Sequence, residues 1–296
     1  MKIDRRGFLV ASSSALVLGK KRLSPPTYEQ PSETPEPPEI DGSIQGRQVA
    51  VYTTADKTNY RLSATETLTF KHMGQPLETQ ICVFVDPSKR AQTILGIGGA
   101  LTDASAETFA KLPPAKQREI LDAYFDVNKG IGYTIGRTNI HSCDFSSSSY
   151  TYVDEGDKEL KSFSVNHDKQ FRIPFIKQAM ATAGGKLNLF GSPWSPPAFM
   201  KTNNDMLHGG NLKPEFYQSW AKYYAKFIKA YEREGIPVWG ISIQNEPMAT
   251  QRWESCIYSA EDERDFLKES ASRFFYTEVV KPKRIHVIDQ QLELVI

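Results

Sequence analysis

Hydrophobic and polar positions follow two different patterns along the chain. Between Val49 and Val85, short runs of alternating residues (VAVYTT, YRLSA, TLTF and QICVFV) are separated by polar or glycine-containing turns, which predicts β-strands. Beyond Gln92, an apolar strand is followed by a helical pattern, and this order repeats. The predicted strands of this second part are ILGIGG, GYTIGRTNI, LNLFGSPW, VWGISIQNEP and RIHVID. Strands that alternate with helices predict parallel βα units and therefore an α/β fold.

Start and stop signals place helices between these strands. A proline pair at 113–114 suits a first helical turn, glycines at 184 and 235 suit helix ends, and Asp262 three residues after Ser259 forms a capping box. Helices are therefore predicted from Thr102, from Pro113, from about Asp168 to Ala183, from Pro214 to Gly235, and from Ser259.

The fourth predicted strand favours a barrel over an open sheet. One face of this strand carries large apolar residues, and the other carries small or polar ones. The first set is Trp239, Ile241 and Ile243, and the second is Gly240, Ser242, Gln244 and Glu246. A polar face on a buried strand suits the interior of a (β/α)8 barrel. Because four units and the start of a fifth fit before Ile296, residues 91–296 are predicted to form the N-terminal half of a TIM barrel.

The composition of the first 46 residues is not typical of a packed domain. Arg5 and Arg6 precede an apolar run, which is typical of a twin-arginine export signal over residues 1–23; the alternative is a disordered basic N-terminus. That run is about half the length needed to span a bilayer, so no integral membrane span is predicted. Prolines and glutamates predict an extended linker over residues 24–46. An export signal implies a periplasmic or extracellular protein.

Charge and motif content exclude several classes of function. The chain has 36 basic and 35 acidic residues, a net charge of +1, so no basic surface for nucleic acid is predicted. The GIGGAL segment lacks the third glycine of a dinucleotide fingerprint, and no Walker lysine or G-x-S-x-G elbow occurs. Five scattered histidines and three distant cysteines offer no metal motif. The sequence thus predicts no metal and no cofactor.

Glu246 is the first candidate for chemistry. It follows Asn245 at the C-terminal end of the fourth barrel strand, where the active sites of βα barrels lie, and a carboxylate there suits general acid/base catalysis. In the alternative interpretation, Asn245 caps a helix and Glu246 and Pro247 occupy its first turn. The tripeptide alone leaves both interpretations open.

Two further residues point to carbohydrate. Trp194 follows the third strand among stiffening prolines, and an aromatic ring at the rim suits the apolar C–H faces of a sugar; the alternative for Trp194 is core packing. Asp144 follows the second strand and could accept hydrogen bonds from sugar hydroxyls, although alone it would be an ordinary loop aspartate.

Four ordered segments, GIGGALTDASAETF, GYTIGRTNIHSCDFSSSSYTYVD, SPWSPPAFMKTN and ISIQNEP, closely resemble glycoside hydrolase family 30, the glucosylceramidase family. The resemblance implies a (β/α)8 barrel joined to a β-sandwich side domain, to which residues 47–90 would belong, and retaining hydrolysis of β-glycosides without a cofactor. By this resemblance Glu246 is the general acid/base and Asn245 binds the 2-hydroxyl. Asp144 and Trp194 hold the glucose ring, and Arg137 supports the catalytic carboxylates.

The resemblance also predicts what this chain lacks. In the family the nucleophile is a glutamate on the seventh strand, whereas the strands predicted here stop at the fifth, and the resemblance fades after Lys268. Glu254, Glu261 and Glu293 are assigned to helical or tail positions and receive no catalytic role. The expected substrate is a β-glucoside or a glucosylceramide-like lipid. The alternative is an inactive sugar-binding remnant or a partner-dependent fragment, and no oligomeric state is predicted.

Overall fold

The computed structural model of the protein describes residues 45–86, 89–271 and 286–288. The predicted export signal and nearly all of the predicted linker lie outside the described residues. The chain divides into two compact units, one up to Gln92 and the other from Thr93 onward.

The N-terminal unit contains one antiparallel pair of strands. Strand β1, Gln48–Thr53, pairs with β2, Ser63–Thr69, and the register shifts between Val51 and Tyr52. The strands predicted at VAVYTT and TLTF are thus confirmed, the one predicted at YRLSA forms only at Ser63 and Ala64, and the one predicted at QICVFV is wrong. Residues 80–85 have no regular secondary structure, and their apolar side chains are exposed, Phe84 to 78%. Within the described residues no strand pairs with this segment, and alternation alone does not stabilise an unpaired strand.

The second unit is a five-stranded parallel sheet with helices between its strands. The sheet order β3-β4-β5-β6-β7 follows the chain, so each new strand pairs with the one before it. Its strands are β3 (Gly98–Ala100), β4 (Ile135–Ile140), β5 (Asn188–Pro193), β6 (Val238–Ser242) and β7 (His286–Ile288). Its α-helices are α1 (Asp103–Ala110), α2 (Pro114–Phe125), α3 (Arg172–Thr182), α4 (Tyr217–Arg233) and α5 (Ala260–Asp265). This order confirms the predicted partial (β/α) barrel.

Local signals explain most helix ends. Proline occupies the first turn of α2, and Ser259 and Asp262 form the predicted capping box of α5. Helix α3 begins at Arg172, later than the predicted Asp168. Asp168 lies instead in a turn, closed by its N–H and the Val165 carbonyl at 3.0 Å, and its buried carboxylate accepts hydrogen bonds from the hydroxyls of Tyr152 at 2.6 Å and Tyr231 at 2.8 Å. None of the described helices is long and apolar enough to cross a membrane.

Helix α4 supplies the largest share of the aromatic core. Its stripe of Trp220, Tyr223, Phe227 and Tyr231 is fully buried, as the spacing predicts, and Gly235 follows the helix with φ +79°. Fully burying each such ring contributes on the order of 2 kcal/mol from apolar area alone. The core therefore holds the outer faces of β4, β5 and β6 against this helix.

The two faces of β6 are as predicted. Ile241 is fully buried in the hydrophobic core, whereas the Ser242 hydroxyl lies 2.6 Å from the Ser192 hydroxyl of β5. Small polar residues from neighbouring strands thus meet on the inner face of the sheet. Their side chains point toward the interior of the partial barrel, and this arrangement leaves room for the polar groups described next.

Candidate active site

The carboxyl ends of β4, β5 and β6 bring the predicted site residues together. Asp144 lies in the loop after β4, Trp194 directly follows β5, and Asn245 and Glu246 follow β6. The backbone N–H of Asn245 donates to the carbonyl of Pro193 at 2.9 Å, which joins the ends of β5 and β6. Because the strands are parallel and adjacent, their C-terminal loops share one edge of the sheet.

Arg137, in β4, connects the three strands at this edge. Its Nε donates to the Ser192 hydroxyl at 2.9 Å, and its Nη2 donates to the Asn245 Oδ1 at 2.7 Å. The guanidinium carbon lies 4.8 Å from the centre of the Trp194 ring, a cation–π contact. Since an arginine only donates hydrogen bonds, this contact fixes the Asn245 amide with its oxygen toward Arg137 and its NH₂ group turned elsewhere.

Glu246 is exposed and has an unusual backbone conformation. Its φ is +45°, in the left-handed region that few non-glycine residues occupy. A turn follows, closed by the Ala249 N–H and the Glu246 carbonyl at 2.9 Å, and the next helix begins only at Ala260. The alternative in which Asn245 caps a helix is therefore excluded.

Charges at the rim interact with one another. Burial lowers the pKa of Arg137, and the negative charges of Glu246 and Asp144 oppose that shift. Partial desolvation raises the pKa of Asp144, although the residue remains exposed. The charges of Glu246 and Glu254 raise it further, and a hydrogen bond from the Trp194 side chain opposes the rise. Arg137, Asp144 and Glu246 thus lie within electrostatic range of one another.

Trp194 lines the candidate site, and only 8% of the residue is exposed. It lies outside the main hydrophobic core, so core packing does not account for it. The Arg137 guanidinium lies over the Trp194 ring, and the Trp194 carbonyl accepts from Gln244 Nε2 at 2.7 Å. The indole side chain lowers the pKa of Asp144, so the two residues lie side by side at the rim.

His141 fixes the loop that carries Trp194. Burial lowers its pKa to about 4, so the imidazole is neutral at physiological pH. Its Nε2 lies 2.6 Å from the Ser195 carbonyl and its Nδ1 lies 2.7 Å from the Tyr223 hydroxyl. The carbonyl can only accept, so Nε2 carries the proton and Nδ1 accepts from the tyrosine. His141 therefore has a structural role in holding this loop.

Lys201 ties the loop after β5 to the loop after β6. The residue is fully buried, and its Nζ donates to the carbonyls of Ser255 at 2.6 Å and Met206 at 3.1 Å. An isolated antiparallel bridge between Leu207 and Glu254 lies in the same region. Sequence reasoning missed Lys201, because a lysine in a polar loop gives no signal of burial. It also misplaced Glu254, which lies in a buried loop and not in a helix or tail.

One group of side chains has the spacing of metal ligands. Asp103, His167 and Asp168 present ligand atoms within 4.8 Å of one another. The guanidinium of Arg172 forms ion pairs with both carboxylates, 3.3 Å from Asp103, and is itself buried. Because this guanidinium already pairs with both carboxylates, we interpret the group as an ion-pair network.

Known proteins share the barrel that carries these residues. The model of the glycosyl hydrolase family 30 TIM-barrel domain matches residues 94–294. The chain belongs to this family. The resemblance found in the four sequence segments is therefore confirmed, and glycoside hydrolase chemistry follows for the family.

Individual family 30 relatives differ in what they act on. The chain is 36% identical over 226 residues to the lysosomal acid glucosylceramidase of Mus musculus, covering 73% of this chain and 44% of that protein. SrfJ from Salmonella typhimurium superposes with a TM-score of 0.67 at 35% identity, covering 75% of this chain and 49% of that one. The endo-β1,6-glucanase BT3312 superposes at 0.63 with 27% identity, covering 69% and 45%. The chain thus spans less than half of each of these proteins.

Proposed function

We propose that this chain carries the acid/base half of a retaining, glucosylceramidase-like β-glucosidase active site, with Glu246 as the general acid/base. The observation that supports this most strongly is the position of Glu246, which is exposed at the end of β6 beside an amide held by Arg137. The β-glucoside substrate follows from the resemblance and from the mouse relative, which is named a glucosylceramidase.

Each residue takes a separate part in the proposed reaction. Glu246 protonates the glycosidic oxygen as the aglycone leaves, and then takes a proton from the water that releases the sugar. The NH₂ group of Asn245 donates to the 2-hydroxyl, because its oxygen is engaged by Arg137. Asp144 accepts hydrogen bonds from hydroxyls of the glucose ring, and Trp194 holds that carboxylate in place.

The retaining reaction also needs a second carboxylate, which acts as the nucleophile. A nucleophile has to stand about 5 to 5.5 Å from the acid/base. The family resemblance places it on a seventh barrel strand, and β7 is the fifth strand of the parallel sheet described here. We therefore propose that the nucleophile is missing from this chain. Export through the Arg5-Arg6 segment to the periplasm or the extracellular space is part of the same proposal.

A hydrolysis assay tests this function. The chain is incubated with an aryl β-glucoside, and so is a version extended through barrel units that carry a seventh-strand glutamate. The expected result is turnover by the extended version and none by the chain alone. Turnover by the chain alone would contradict the proposal that the nucleophile is missing. If neither version turned over the substrate, the acid/base assignment would be wrong, and sugar binding, measured as described below, would then show whether the chain is a sugar-binding remnant.

The pH dependence of sugar binding is predicted to reflect Asp144. Its pKa is raised, first by desolvation and then by neighbouring charges, and the ionised form is the better acceptor for hydroxyls. The affinity for a neutral glucoside should therefore fall as the pH is lowered, and this loss should begin at a higher pH than an ordinary aspartate would give. Asp144→Asn should lower affinity roughly tenfold and flatten this acid limb. Calorimetric titration at a series of pH values measures both effects.

A further inference from the structure

Two buried serines meet on the inner face of the sheet, beneath the candidate active site. Gly191 of β5 pairs with Ile241 of β6, so the next residues of the two strands lie side by side. These residues are Ser192 and Ser242, both fully buried, and the Ser242 hydroxyl donates to the Ser192 hydroxyl at 2.6 Å. A buried hydroxyl is costly unless it is hydrogen-bonded, and this pair is bonded internally and to Arg137.

Ser192 holds the Arg137 side chain by its Nε. The single N–H of Nε donates to the Ser192 hydroxyl at 2.9 Å, and Nη2 donates to the Asn245 Oδ1 at 2.7 Å. Because a guanidinium is planar, these two contacts together set the orientation of the whole group. The Ser192 hydroxyl also accepts from Ser242. The two serines and Arg137 therefore form a chain of hydrogen bonds that ends at the Asn245 amide.

The backbone of Asn245 is fixed independently of Arg137. Its N–H donates to the Pro193 carbonyl at 2.9 Å, and its carbonyl accepts from the Nε2 of the fully buried Gln244 at 2.9 Å. The side-chain amide can still turn, and a half turn exchanges its oxygen and its NH₂ group. Since Arg137 only donates, its contact with the amide oxygen decides which of the two groups is left for a ligand.

Arg137 also has carboxylates within electrostatic range. The negative charges of Glu246 and Asp144 act on its guanidinium. If Ser192 lost its hydroxyl, the Nε–H would lose its acceptor, and the guanidinium would be expected to turn toward these stronger, charged acceptors. Asn245 would then lose the donor that orients its amide. The contact at Ser192 thus keeps Arg137 on Asn245 and away from the carboxylates.

We propose that Ser192 and Ser242 are positioning residues that act through Arg137 to hold the Asn245 NH₂ group toward the 2-hydroxyl of the bound sugar. This inference rests on the proposed sugar site, and it adds the part of the barrel that selects sugars bearing this hydroxyl. Both serines are fully buried, so they act on the sugar only through the other two residues. Hydrogen bonds to the 2-hydroxyl strengthen in the transition state of glycoside hydrolysis, so this orientation serves the reaction as well as binding.

Binding of two matched ligands tests this inference. Phenyl 1-thio-β-glucoside and its 2-deoxy analogue resist hydrolysis and differ only in the 2-hydroxyl, and each is titrated calorimetrically at neutral pH. The wild-type chain should bind the glucoside roughly tenfold more tightly than the analogue. Ser192→Ala should reduce this preference to about twofold, by weakening glucoside binding and leaving the affinity for the analogue unchanged. Ser242→Ala should reduce it less, because the contact between Ser192 and Arg137 remains.

Two controls separate positioning from a general loss of structure. Ser142→Ala removes an equally buried hydroxyl that bonds to the backbone of Tyr150, so it should keep the preference of the wild type. Asn245→Ala should abolish the preference. Adding Ser192→Ala to that variant should change neither affinity, since the serine acts through the amide that is already gone.

The outcomes also separate this inference from the sugar site on which it rests. If both Ser192→Ala and Ser242→Ala kept the preference of the wild type, or if they weakened both ligands equally, the inference would be overturned and the sugar site would stand. Should Ser192→Ala not fold, Ser242→Ala provides the same test alone. A wild-type chain that binds both ligands equally would overturn the inference together with the role of Asn245, and one that binds neither would overturn the sugar site as well.

Discussion

Arg172→Met is expected to lower the free energy of unfolding by about 3–5 kcal/mol, the largest effect on stability predicted for this protein. Arg172 is 1% exposed, and its guanidinium pairs with the buried carboxylates of Asp168 and Asp103. It also donates to the Tyr152 hydroxyl at 2.8 Å. Methionine fills much of the same space but leaves two buried negative charges without their cation. Urea denaturation of the wild type and the variant measures the difference.

The pH dependence of this variant provides a sharper test. Burial favours the neutral form of Asp168, but Arg172 and the hydrogen bonds around the carboxylate hold its pKa at about 2, below the ordinary value of 3.8. The ion pair therefore stabilises the wild type fully above about pH 4, and this contribution is lost as the pH falls through about 2. The deficit of Arg172→Met should accordingly shrink at low pH, because its carboxylates can then be protonated.

The surface pair Arg118–Asp122 is the matched control. The two side chains form an ion pair on α2 with the arginine more than half exposed. Arg118→Met should cost less than about 1 kcal/mol, since water already solvates both charges. Equal costs at positions 118 and 172 would contradict the buried network.

Glu246→Gln is expected to reduce hydrolysis by about 10²- to 10⁴-fold in the extended version described above, the largest effect predicted on activity. Glutamine keeps the size of the side chain but cannot deliver a proton to the leaving oxygen. The loss should be greatest for alkyl β-glucosides and much smaller for a dinitrophenyl β-glucoside, whose leaving group needs no proton. Initial rates across this leaving-group series measure the effect.

Glu261→Gln provides the control for charge alone, because Glu261 is exposed in the first turn of α5. Its rates should match those of the parent enzyme for every leaving group. If Glu246→Gln slowed all substrates by the same factor, Glu246 would be a binding group and not the proton donor.

The fold could be predicted from the sequence where a local rule decides the structure. The alternation of apolar strands with amphipathic helices predicted the parallel βα units, and the Ser259–Asp262 capping box predicted where α5 begins. The rule failed at residues 80–85, where alternation favours a strand but pairing decides whether one forms. It also failed at the start of α3, where Asp168 lies in a turn and its buried carboxylate accepts hydrogen bonds from Tyr152 and the distant Tyr231.

The candidate site was predictable only in part. Glu246, Asp144 and Trp194 follow from their places at the ends of strands, Asn245 and Arg137 follow from the family resemblance, and the structure brings all five to one rim. The burial of Lys201 could not be predicted in the same way. It depends on two loops that are distant in sequence and joined by a hydrogen bond between residues 54 positions apart. Such contacts leave no periodic or compositional signal.

The central claim is that this chain binds a glucose unit beside Glu246. The most direct measurement is a calorimetric titration of the wild-type chain, and of Asp144→Asn and Glu246→Gln, with a glucose-configured iminosugar whose ammonium mimics the positive charge that develops in the transition state. The account predicts one binding site per chain, with affinity reduced in each variant because each loses a carboxylate that faces the ligand. No binding by the wild type, or binding that neither substitution changes, would contradict it.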